Sequence, residues 1–214
     1  MRASPHPLSR LSLCCALGAI GLLASCESAD RPVRPLPPGI SASERERITR
    51  AHQEAKRASR SADPAKAEQH YRSAVAYYAE YAPAWNNLGV ALMDQERFLE
   101  AAEAFQRAAD LAPTDPRPLY NHGLLFSRRA YPREAMPFFL HALERDRHYL
   151  PALRAAIQTE VRLREVSPDT LSRIQSALLL ETDPAWQRFF EFQRIRIEAD
   201  LANRRKRRAT DPGS

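Results

Sequence analysis

Residues Ala82 to Tyr149 are two consecutive copies of one 34-residue unit. Laid in register, Trp85 falls on Leu119, Leu88 on His122, Gly89 on Gly123, Ala101 on Ala135, Phe105 on Phe139 and Ala108 on Ala142. A self-match at this period marks a helical repeat array, in which each unit buries its apolar face only by stacking on its neighbours. Only 6 glycines in 214 residues argue in the same direction, against a sheet-rich fold with many tight turns. Most of the 17 prolines lie in a linker, between helices or at helix starts, where proline is tolerated.

Each matched position has a physical role. Gly89 and Gly123 fall mid-helix, where glycine costs about 1 kcal/mol relative to alanine. That cost is justified if the second helix of the pair crosses close by. Ala101 and Ala135 would be its small contacts, with Phe105 and Phe139 filling the space beneath. Trp85, Leu88-Gly89, Ala101, Phe105, Ala108 and Pro113 together resemble the tetratricopeptide repeat. The resemblance implies an all-α fold of antiparallel helix pairs stacked as a short right-handed superhelix, an α-solenoid. The next copy departs from the pattern. His122 replaces the Leu, Arg147 the closing Pro, and Pro137 falls early in the second helix, where anything past the first turn would be costly.

The frame extends both ways, giving an array over 44–183 with repeats at about 48–81, 82–115, 116–149 and 150–183. Ser43 with Glu46 forms a capping box for the first helix. Its thin apolar stripe is Ile48, Ala51, Ala55 and Ala58. Asp63-Pro64 opens the next helix, and Ala55, Ala67, Tyr71 and Ala74 take the frame positions of Gly89, Ala101, Phe105 and Ala108. In the fourth unit Ile157 occupies the glycine position, and Ile174 and Ala177 take the Phe and Ala positions after one extra loop residue. Asp183-Pro184-Ala185-Trp186 then restarts the pattern as a closing helix, 184–203, followed by a basic tail, 204–214, expected to be disordered. The closing helix holds Trp186, Phe189, Phe190, Phe192, Ile195, Ile197 and Leu201, more than one narrow face can bury. Two explanations stand: a bend over the last repeat, or a second contact such as homodimerisation.

The first 25 residues read as an address. A start with Arg2 and Arg10 leads into the apolar run Leu11–Ala24, shorter than the about 20 residues a spanning helix needs. Leu23-Ala24-Ser25-Cys26 resembles the lipobox of bacterial lipoproteins, which implies cleavage before Cys26 and its lipidation. An ordinary cleaved signal peptide is the other reading. All 3 cysteines lie at or before Cys26, so a processed chain would keep one thiol with no intramolecular disulfide partner. Glu27 follows, where the family uses Asp for inner-membrane retention, so the expectation is an outer-membrane protein facing the periplasm. Residues 26–43, with Pro32, Pro35, Pro37 and Pro38, form an extended tether.

Net charge is +6, and Arg2, Arg10 and the Arg-Arg-Lys-Arg-Arg of 204–208, less Asp211, account for it. The body between is about neutral, which does not call for a nucleic-acid surface. The basic tail suits either anionic lipid or simple solvation. No phosphate loop or catalytic set is present, and His141 and His148 lack a third metal ligand, so the chain is expected to be non-catalytic and without a cofactor. In tetratricopeptide arrays the first helix of each pair lines a concave groove. Carried over by frame position, the groove would hold His52 and Lys56, then Asn86, Asn87 and Asp94. Arg117, Tyr120, Asn121 and Arg128 would follow, then Arg154, Gln158 and Arg162. Such a polar, basic trough suits an extended protein or peptide partner. Of the carboxylate clamp some family members carry, only Asn87 and Arg117 match. The expected role is a membrane-anchored scaffold in the bacterial envelope. The rival readings are a peptidoglycan-associated accessory module and a pilotin-like assembly lipoprotein.

Overall fold

The computed structural model describes residues 39–210. The signal sequence, Cys26 and most of the tether lie outside the described residues, as do residues 211–214. The described residues form nine helices and no strand. They are α1 Ala42–Ser59, α2 Pro64–Tyr77, α3 Ala82–Asp94, α4 Phe98–Leu111, α5 Arg117–Arg128, α6 Pro132–Arg145, α7 Leu150–Leu163, α8 Pro168–Leu180 and α9 Pro184–Thr210. Each odd helix pairs with the even helix after it, and each even helix packs on the next pair. The result is the expected all-α solenoid of four hairpins closed by α9.

The boundaries follow local chemistry. The Asp63 carboxylate accepts from the Ala65 N–H at 2.9 Å, with Pro64 at the first helical position. Ser167 donates its N–H to Thr170 Oγ1 at 3.0 Å, closing the start of α8. The first cap differs from the sequence expectation. Ser41, not Ser43, caps α1, its hydroxyl accepting from the Glu44 N–H at 3.2 Å. Both serines precede a glutamate by three residues. The outer register wins by adding helical residues, and Arg45 then donates to the Ile40 carbonyl at 3.3 Å. Pro137 also sits deeper than expected, in the second turn of α6, which nonetheless runs unbroken. The carbonyl it leaves without a partner is that of Arg133, an exposed residue that water can reach. At the far end α9 continues to Thr210, past the Asn203 boundary and into the stretch expected to be disordered.

The close crossing within each hairpin depends on glycine. A Cβ on Gly89 would lie 2.5 Å from Phe105 Cε1, and one on Gly123 would lie 2.5 Å from Phe139 Cε1. The aromatic ring itself, rather than the alanine beside it, occupies the space that glycine leaves. Both rings are buried, at 0% and 1% exposure. The outer repeats fill the same space differently. Ala55 and Tyr71 are buried in the first, and Ile157 and Ile174 in the fourth, trading size across the crossing.

A second recurrent feature ends the first helices. Glu96, Ala130 and Arg164 all have φ near +60°, and each is one 34-residue period from the next. The following N–H reaches back in each case: Arg97 to Leu92 O, Tyr131 to Phe126 O and Glu165 to Glu160 O, at 2.9 to 3.0 Å. This is the left-handed helix ending that glycine normally supplies. Arg97 then joins the pairs together, with its guanidinium on Glu68 of α2 and Glu100 of α4. Burial pushes the Glu68 carboxyl up, but hydrogen bonds from Arg72, Gln95 and Arg97 hold it below its usual range.

Gly89→Ala is expected to destabilise the fold by about 1–3 kcal/mol through overpacking against Phe105. Adding Phe105→Leu should return part of that loss, measured as non-additivity in a denaturant double-mutant cycle. Ala130 is exposed, so Ala130→Gly loses no packing. It should relieve the left-handed strain and raise stability by about 0.5–1 kcal/mol, seen as a higher Tm.

Candidate functional site: the face of the first helices

Among the first helices, α3 and α5 are in direct contact. Their shared face carries a ladder of amides. Asn121 Nδ2 donates to Asn86 Oδ1 at 2.9 Å, and Asn86 Nδ2 donates to Asn87 Oδ1 at 3.1 Å. All three residues are buried, so each amide's partner is fixed before any ligand arrives. Val90 and Leu124 close the floor beside them.

The expected arginines are present, but their charges are already met. Arg117 forms a forked pair with Asp115, its Nε and Nη2 at 2.8 and 2.5 Å from the two carboxylate oxygens. Arg128 of α5 reaches Asp94 of α3 at 2.8 Å, one repeat period away. Arg154 forks onto Glu181 at 2.7 and 2.6 Å and lies 4.8 Å over the Trp186 ring. Glu181 is wholly enclosed. Burial pushes its carboxyl up, yet Arg154 and the backbone N–H groups of Asp183 and Thr182 leave it below the usual range. The sequence expectation of a net basic trough is therefore corrected at its centre, where carboxylates from Asp94, Asp115 and Glu181 accompany the arginines. Lys56, Gln158 and Arg162 are exposed and show no such partner among the described residues.

The aromatic members are also engaged. His52 meets Tyr81 edge-on at 4.5 Å, and burial lowers its pKa. Tyr120 packs against Phe139 at 6.0 Å and Tyr149 at 5.6 Å. Burial raises the Tyr120 hydroxyl's pKa, partly offset by the Arg154 charge. Thus the structure brings Asn86, Asn87 and Asn121 together, pairs Asp94 with Arg128, and leaves Lys56 and Arg162 as free cations in the first and fourth repeats.

One residue of this region was not singled out as a site from sequence. His122, beside Asn121, stacks on Phe138 at 4.1 Å and on Phe126 at 5.7 Å, with Phe105 at 6.2 Å. The third repeat thus holds an aromatic stack containing one imidazole, with Phe105 of the second repeat at its edge. Burial pulls that imidazole down to about 4. Its position in place of the repeat leucine was the available signal.

Residues 52–116 match the tetratricopeptide repeat family model. A 55-residue stretch is 38% identical to the BBSome complex member BBS4 of Xenopus tropicalis, covering 26% of this chain and 11% of that relative's length. Among solved structures, the chain is similar to the Pseudomonas aeruginosa pilF protein, with TM-score 0.58 and 21% identity over 77% of this chain and 76% of that one. It is also similar to MamA, with TM-score 0.50 and 16% identity over 63% and 76% of the two chains. At these identities the likeness is one of fold. The fold is that of tetratricopeptide solenoids, a class of scaffold that binds protein or peptide partners and is generally non-enzymatic.

The His122 imidazole has a pH consequence. Its ordinary pKa of about 6.5 applies in the unfolded chain and is lowered on folding. The unfolded chain therefore binds the proton first as pH falls. Stability is full above about pH 6.5 and declines between there and about pH 4, by up to about 3 kcal/mol. His122→Leu should flatten that slope in denaturant titrations run at pH 7 and pH 5.

Proposed function

We propose that the protein is a non-catalytic adaptor that holds an extended protein or peptide segment along the first-helix face. It would be held in the bacterial cell envelope by lipid on Cys26, on the periplasmic side of the outer membrane. The observation that carries the groove reading is the amide ladder that joins α3 to α5. Asn86 and Asn121 form a fixed pair of amides on α3 and α5, and Lys56 of α1 and Gln158 and Arg162 of α7 are exposed. A preset floor lowers the ordering cost of binding, and the exposed cations suit an acidic segment. The anchor rests on the sequence Leu23-Ala24-Ser25-Cys26 and on the proline-rich tether after it. Two or more acyl chains hold a domain of this size at a membrane durably.

Charge reversal at Arg117, Arg128 or Arg154 would set carboxylate against carboxylate and disturb the fold, so it does not isolate binding. The informative variant is Lys56→Glu with Arg162→Glu. In-cell crosslinking followed by mass spectrometry should recover a protein partner with the unaltered chain and at least tenfold less with the variant, at equal circular dichroism. Undiminished capture overturns the groove reading. Sedimentation with purified peptidoglycan, with no protein captured, supports the accessory-module reading instead. The anchor has a separate readout: Cys26→Ser should abolish palmitate labelling, and persistent label removes that claim.

A further inference from the structure

The last helix breaks the repeat register in one respect, and its charge suggests what it meets. Trp186 aligns with Trp85, Leu119 and Leu153, which places Phe192 where α3 has Ala91, α5 has Leu125 and α7 has Thr159. Those three are buried within the stack, at 6%, 3% and 7% exposure. Phe192 is 63% exposed. Ile195 stands where the earlier first helices carry Asp94, Arg128 and Arg162, and it is 62% exposed. An aromatic and a branched aliphatic therefore face outward at positions the rest of the array either covers or charges. The opposite side of α9 is already occupied, with Trp186, Phe190 and Ile197 buried in the core of the last repeat.

The exposed stripe continues along the helix. Phe192, Ile195, Ala199, Ala202 and Lys206 recur at spacings of three and four, and all are exposed. At 27 residues α9 is about 40 Å long, while the 13 residues of α8 span about 20 Å, so the last turns run on past the stack. That projecting part carries the sequence Arg204-Arg205-Lys206-Arg207-Arg208. Around the apolar pair Arg188, Arg194 and Arg196 are balanced by Glu191, Glu198 and Asp200, with Arg194 on Glu191 and Arg204 on Asp200, so the positive excess of α9 lies in 204–208. A second copy of the chain docking here would bring like charge against like charge. An anionic bilayer supplies the opposite charge and an apolar layer beneath it. No helix among the described residues is long and apolar enough to cross a membrane, so α9 suits a surface rather than a span.

We propose that α9 docks flat on an anionic phospholipid surface. Phe192 and Ile195 enter the boundary between headgroups and acyl chains, and the exposed Arg204 and Lys206 meet the lipid phosphates. This contact is separate from the anchor: it uses no residue before Pro184 and needs no acyl chain. With an anchor at one end of the chain and this helix at the other, the array would lie along the membrane rather than stand off it.

The test uses the full chain carrying Cys26→Ser, so that no acyl chain contributes and the N-terminal apolar run is common to every arm. Vesicles of phosphatidylglycerol and phosphatidylcholine are compared with phosphatidylcholine alone by flotation. The chain should prefer the anionic vesicles. Arg204→Gln with Lys206→Gln should weaken that binding by about tenfold or more. Phe192→Asp with Ile195→Asp should also weaken it, with helical content unchanged because both side chains are exposed. Equal flotation of all three chains overturns the proposal. A photocrosslinking amino acid placed at Phe192 in cells should give a lipid adduct. An adduct with a second copy, or with another protein, overturns it in favour of a protein interface. Palmitate labelling at Cys26 is read independently, so failure of the anchor and failure of this contact are distinguishable.

Discussion

The approach of the Phe105 and Phe139 rings to Gly89 and Gly123 sets the spacing on which the array depends. A methyl group at either glycine would overlap the ring at 2.5 Å. With the hairpin closed at that distance, Ala101 and Ala135 become fully buried and the next pair can stack. The outer hairpins reach the same closeness with Ala55 and Tyr71 or with Ile157 and Ile174. The constraint is thus on the combined volume at the crossing, and the glycine–phenylalanine pair is one solution to it.

Once the backbones are placed, polar groups are satisfied largely within the array. Arg97 spans α2 and α4 through Glu68 and Glu100, Arg128 spans α5 and α3 through Asp94, and Arg154 ties α7 to Glu181 after α8. Partly buried pairs of this kind fix orientation more than they add net stability, because each charge also loses water. The amide ladder from Asn121 to Asn87 serves a similar end in the middle of the array. The same side chains that define the candidate groove therefore also hold neighbouring repeats in register.

Much of this architecture was legible because the repeat period is a physical one. Matching Ala82–Asp115 to Pro116–Tyr149 located the glycine crossings, the aromatic rings and the helix pairs. Asp63-Pro64 marked a helix start through its own cap chemistry. Where two equivalent signals competed, as with Ser41 and Ser43 before Glu44 and Glu46, the sequence offered no way to choose. Among candidate groove residues, positions along the helices followed from the frame, but their partners did not. Asp94 and Arg128 are one period apart, and that spacing could have revealed the pair. Arg154 and Glu181 are not, since they belong to the two helices of one repeat, and their contact exists only through the fold. The left-handed residues Glu96, Ala130 and Arg164 gave no warning either, since none is a glycine.

The pre-formed ion pairs of the groove change how a partner would be recognised. An acidic ligand that sought Arg117, Arg128 or Arg154 would have to displace Asp115, Asp94 or Glu181 from contacts of 2.5 to 2.8 Å. Such an exchange trades one carboxylate for another and gains little. Discrimination at the centre of the groove would therefore rest on shape and backbone hydrogen bonding, with residence there only weakly sensitive to ionic strength. Salt sensitivity would be confined to Lys56 and Arg162, which have no carboxylate partner among the described residues.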